Sequence, residues 1–160
     1  MNGALTEPAM PRAVTILLAL AAMAGTGSAG RTHVVTIMSA SDASGQTDPS
    51  VRQHHVAAMR RVLEPALAAI DARDARQLDV SIVRFELRSD GGKVYMSSEL
   101  RAVISDANGR MLTMVKASAT VEVPASRYRP SRLSELRDQA LADASSGLVD
   151  SVRAHVLTAS

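Results

Sequence analysis

Three consecutive stretches of this chain alternate apolar and polar residues, and two tight-turn signals separate them. A period of two is the mark of a strand with one buried face. In residues 78–88, Leu78, Val80 and Ile82 share one parity, while Val83, Phe85 and Leu87 share the other. A bulge near Ile82-Val83 would return both sets to one face. Residues 93–105 then point Val94, Met96, Leu100, Ala102 and Ile104 inward. Residues 110–123 do the same with Met111, Val115, Ala117, Ala119, Val121 and Val123. A two-residue turn at Asp90-Gly91 predicts the pairs Phe85/Met96 and Leu87/Val94. A two-residue turn at Asn108-Gly109 predicts Ala102/Val115 and Met96/Val121. Apolar residues then share one side of all three strands, and a one-residue slip would turn one set outward. The other side carries Arg84, Glu86, Arg88, Glu99 and Arg101, expected as cross-strand ion pairs worth little each.

The flanks supply the layer that such a sheet needs. Residues 32–40 (THVVTIMSA) are β-branched and apolar, a further strand. Asp48-Pro49 opens a helix, with Asp48 as N-cap and Pro49 at the first helical position. Val56, Met59, Leu63, Leu67 and Ile70 form its stripe, which Pro65 should bend or split. After a linker over 124–130, Ser131 is expected to cap a last helix reaching about Leu157. Leu133, Leu136, Ala140, Ala144, Leu148, Val152 and Val156 make up that helix's stripe. The expected fold is α+β in the order β-α-β-β-β-α: a two-layer sandwich of a four-stranded sheet with both helices on one face.

Before this domain the sequence reads as an export signal. Arg12 precedes an uncharged apolar run over 13–24, and small residues over 25–30 place Gly27 and Ala29 where a signal peptidase reads them. The run falls short of the roughly 20 apolar residues of a membrane span. Residues 1–29 are therefore expected to be a signal peptide, with Met10 as an alternative start. Residues 30–160 then form one domain, periplasmic or secreted, with no stable transmembrane segment after cleavage. Composition narrows the function. Aromatic residues are 2% of the chain and Trp is absent, which disfavours stacking platforms for bases and so nucleic-acid partners. The net charge of +2 makes no broad field for polyanions.

No residue pattern marks a catalyst. There is no Cys, no Gly-x-Ser-x-Gly elbow, no phosphate-binding glycine loop, and nothing that calls for a cofactor. His54 and His55, adjacent on a helix, point about 100° apart and cannot both serve one metal. A solvated helix face is expected for them, and no metal. The densest basic cluster is Arg127, Tyr128, Arg129 and Arg132, with Arg137 one turn later, at a helix N-terminus where backbone N–H groups also favour anions. It is the candidate contact for an envelope protein or an anionic lipid surface. Ser98, Ala102, Ala117, Ala119, Ala140 and Ala144 form a second candidate, a small-residue patch that could leave a narrow apolar pocket for an acyl chain.

Across Val34 to Leu157 the element order resembles that of the lipopolysaccharide-assembly outer-membrane lipoprotein family and of other small envelope accessory proteins. The meander over 78–123 and the Ala-rich helix over 133–156 carry the likeness. The resemblance implies an α+β accessory domain working in the envelope, although this chain lacks that family's lipidated Cys. The expected function is a non-catalytic exported interaction domain. The alternatives are a carrier or sensor of a small apolar ligand and, third, a hydrolase.

Overall fold

The computed structural model describes residues 34–158; the expected signal peptide lies outside them. The elements are β1 (Val35–Asp42), α1 (Pro49–Ala68), β2 (Arg76–Asp90), β3 (Lys93–Ser105), β4 (Met111–Pro124) and α2 (Leu133–Thr158), with two single 3-10 turns at Ala125–Arg127 and Pro130–Arg132. The sheet order is β1-β2-β3-β4. β1 runs parallel to β2 and the other neighbours are antiparallel. Parallel neighbours need a crossover, and α1 supplies it. α1 and α2 pack on each other, α1 against β1 and α2 against β3 and β4. The expected α+β sandwich is what the chain adopts.

The bulge anticipated in β2 is present: the β2–β3 register shifts between Ile82 and Arg84. Leu78, Val80 and Ile82 are fully buried, and beyond the bulge Phe85 packs on the same core. The first hairpin is corrected by two residues. Its turn is Gly91-Gly92, both at positive φ (56° and 76°), so Asp90 pairs with Lys93, Leu87 with Met96, and Phe85 with Ser98. A two-residue turn of this kind needs a left-handed backbone at both central positions, which glycine adopts without strain. Leu87, at the end of the sheet, is exposed.

The second hairpin has the expected pairs by a different route. Ala102 faces Val115 and Met96 faces Val121. The loop, however, is not a two-residue turn. Gly109 N–H donates to the Asp106 carbonyl and Asp106 N–H to the Arg110 carbonyl, each at 3.0 Å. The Asp106 carboxylate accepts from the N–H groups of Asn108 and Arg110. Only Gly109 is left-handed there, φ 79°. A three-residue loop shifts the register by one, and an irregularity beside Leu112 shifts it back. Met111 lies before that correction and is exposed rather than inward.

Asp48 caps α1 as expected, accepting from Ser50 N–H at 2.8 Å, with Pro49 in the first turn. Pro65 does not split the helix, which runs on to Ala68. It lies in the last turn, where its missing N–H forfeits a single bond. α2 begins at Leu133, after the 3-10 turn at Pro130–Arg132, rather than under a Ser131 cap. The core joins Met59, Leu63 and Leu67 of α1 to Leu78, Ile82, Leu100 and Ile104 of the sheet and to Leu141, Leu148 and Val152 of α2. A second cluster of Met96, Val121, Leu136 and Ala140 closes the far end.

One buried polar group is out of place. Ser98 is fully buried and its hydroxyl has no hydrogen-bond partner. An unpaired buried hydroxyl costs about 1–3 kcal/mol. Ser98→Ala should therefore keep or raise the thermal midpoint, and a lower one would show that the hydroxyl does have a partner.

Candidate functional site

The residues that could carry chemistry converge where the start of α1 meets the start of α2. Asp42 ends β1, and the loop after it turns back through Ser44, whose N–H and hydroxyl both donate to the Asp42 carboxylate, at 2.9 and 2.5 Å. The other carboxylate oxygen meets His55 Nδ1 at 2.8 Å. Neither partner is reached by solvent: the side chains are 3% and 0% exposed for His55 and Asp42. Burial pushes the Asp42 carboxyl up. The bonds from Ser44 and His55, with the attraction of His55, outweigh that and hold it below the usual carboxylate range. The imidazole also lies against Phe85, with ring centroids 4.7 Å apart.

This corrects the expectation of a solvated face as far as His55 is concerned. His55 takes a place in the buried stripe His55, Met59, Leu63, Leu67, while Val56 is only half-buried. The signal was present: His55 lies four residues before Met59, so it continues the i, i+4 spacing. His54 is exposed and meets Asp138 of α2 at 3.0 Å. Ser50, His54, His55, Ser134, Arg137 and Asp138 line a groove of about 250 Å³ between the helices. Among the described residues no three of His, Asp and Glu approach closely enough to hold a metal ion. No serine hydroxyl hydrogen-bonds His55 among these residues; its partner is Asp42.

The five residues of the basic cluster separate. Arg127 is exposed in its 3-10 turn. Arg129 turns back on the linker, donating to the carbonyls of Ser126 and Tyr128 at 3.0 and 2.8 Å. Arg132 grips Glu135 with two bonds, at 2.9 and 2.8 Å. Tyr128 packs on the Met96–Val121–Leu136 cluster. Arg137 alone reaches the groove, its guanidinium 5.9 Å from the centre of the Phe85 ring. Its Nε is buried without a hydrogen-bond partner.

The small-residue patch lies where α2 meets the sheet. Ser98, Ala102, Ala140 and Ala144 are fully buried, with Ala117 and Ala119 packed against them half-buried. A Cβ on Gly147 would stand 3.7 Å from that of Ala117, ordinary contact distance. The helix thus approaches the sheet closely because both surfaces are small. Ser98 and Ala117 do line a cavity of about 270 Å³, but its other walls are the outer-face residues Arg84, Ser97, Glu99, Lys116 and Ser118. On that face Arg84 pairs with Glu86 and Glu99 at 3.6 and 3.3 Å, while Arg88 stacks over Tyr95.

No protein-family model and no curated protein matches the chain. Among the solved structures that the chain resembles in fold are two bacterial proteins. One is the minor lipoprotein of Acinetobacter baumannii, 15% identical, TM-score 0.50, covering 77% of this chain and 94% of that one. The other is a hypothetical protein of Chlamydia trachomatis, 10% identical, TM-score 0.50, covering 81% of this chain and 99% of that one. At such identities the likeness is one of architecture, and function rests on the site. No described helix is long and apolar enough to cross a membrane.

Proposed function

We propose that this chain is an exported, non-catalytic accessory domain of the bacterial envelope that docks on an anionic surface. Arg137 carries the reading. It stands in the groove with an unpartnered Nε, beside His54 and Asp138, and among the described residues no carboxylate or carbonyl holds it, unlike Arg129 and Arg132. The exposed Arg127 continues the positive surface along the linker. In the buried Asp42–His55 pair the Ser44 hydroxyl donates to the carboxylate and not to the imidazole that would have to activate it, which supports binding over hydrolysis. The expected export signal and the fold shared with a bacterial minor lipoprotein agree with an envelope setting.

The test is co-sedimentation with vesicles of phosphatidylglycerol and, in parallel, of phosphatidylcholine. Binding should be confined to the anionic vesicles and should weaken as salt rises, because exposed charges are screened. Replacing Arg127 and Arg137 together by Gln should reduce binding with little change in thermal stability, and adding Arg129→Gln and Arg132→Gln, whose side chains are already engaged, should reduce it little further. Binding to anionic vesicles that is indifferent to all four changes would refute this surface.

A further inference from the structure

β4 closes one side of the sheet, and among the described residues no segment pairs with its outer edge. Such an edge is a row of N–H and C=O groups open to another strand. The two edges differ. β1 has 8 residues and an irregularity beside Met38, a common way of blunting an edge. β4 has 14 residues and pairs with β3 in unbroken register from Thr113 to Pro124. Lys116 and Glu122 are its only charged residues. Both share the parity of Ser118 and Thr120, opposite to that of the core-facing Ala117, Ala119 and Val121.

We propose that β4 pairs antiparallel with β4 of a second copy, about a two-fold axis through Ala119, joining two four-stranded sheets into one. Charge complementarity chooses the occupant and the register. In an antiparallel pair opposing residues project to the same face. With the axis at Ala119, Lys116 lies opposite Glu122 of the second copy, and the two-fold makes this ion pair twice. Moving the axis to Ser118 or Thr120 sets both charges against neutral residues. The same register puts Val115 opposite Val123 and Ala117 opposite Val121 on the core side, and Ser118 opposite Thr120 on the outer side. Pro124, which has no N–H, ends the ladder. Glu122 already holds Lys93 on its own chain, so each pair extends to three charges.

The helix layer accommodates this join. α2 packs across β3 and β4. With strands about 4.8 Å apart, its axis would stand about 5 Å from the two-fold, and the two copies of α2 about 10 Å apart. That is the spacing of packed helices.

The test is sedimentation velocity of the exported chain and of two charge reversals. The wild-type chain should be a dimer. Lys116→Glu and Glu122→Lys should each raise the dimer dissociation constant at least about tenfold, since each sets like charges opposite one another twice. Mixing the two variants should restore a dimer, now mixed, because every facing pair again has opposite signs. That recovery would also show that both variants are folded. A wild-type chain that stays monomeric through the micromolar range, an assembly larger than a dimer, or a dimer indifferent to both reversals would overturn the proposal.

Discussion

His55→Ala is expected to cost about 3–5 kcal/mol at neutral pH, because it leaves a buried carboxylate without its partner. The Asp42 side chain is shielded from solvent and its carboxyl is held below the usual range, so it is ionised when the variant is made. Ser44 would remain as a donor, but the Nδ1 contact at 2.8 Å would be gone. Removing both groups in Asp42→Ala/His55→Ala should cost less than the sum of the single changes, since no orphaned charge remains. The pH dependence has a definite sign. A carboxyl whose folded pKa is depressed binds fewer protons when folded than when unfolded. Its stabilisation is therefore full above the ordinary value of 3.8 and fades as pH falls from there through the folded pKa. Urea unfolding at neutral pH and near pH 3 should show the gap between wild type and His55→Ala narrowing in acid. A gap that is the same at both pH values would mean that Asp42 is not the group responsible.

Val121→Asp should destabilise the domain by a similar amount, about 3–5 kcal/mol. Val121 is 9% exposed and packs with the apolar side chains of Met96, Leu136 and Ala140. An aspartate there would be buried without a partner. Glu122→Gln, one residue along on the outer face, loses only an exposed pair with Lys93, which seldom matters to stability. Circular dichroism melts of the two variants should therefore diverge sharply. Equal melts would reject the assignment of β4's faces.

The comparison of expected and observed pairs shows what periodicity can and cannot resolve. A period of two assigns a face, so Val94, Met96, Leu100, Ala102 and Ile104 were legible as buried, and all are. It cannot tell one register from another two residues away, because both keep every side chain on its face. The first hairpin slipped by just that amount, and the choice lay with Gly91 and Gly92, the pair able to turn left-handed together. The bulge in β2 was legible because it changes the parity of the apolar residues themselves. The compensated loop at Asp106–Arg110 was not, since an extra loop residue and an irregularity beside Leu112 cancel further along the ladder.

The candidate site was legible only in part for a related reason. Arg137 was visible one helical turn beyond the linker, but hydrogen bonding decided which arginines stay available. Glu135 claims Arg132, and two linker carbonyls claim Arg129. His55 could have been read as buried from its spacing to Met59 and Leu63. Its partner could not, because Asp42 belongs to a different element, after which the chain turns back through Ser44.

Taken alone, the sequence determined the elements, the buried face of β3 and α2 and most of that of β2, β4 and α1, the cap at Asp48, and the two-layer α+β class. These depend on neighbours within a few residues, where side-chain direction follows directly from backbone period. Only the tertiary structure decided that β1 lies parallel beside β2, which leaves β4 as an open edge, and that Asp42 meets His55 beneath the α1–α2 groove. Those outcomes depend on how separate elements dock. Docking is governed by the shape and chemistry of whole faces, which no local pattern along the chain encodes.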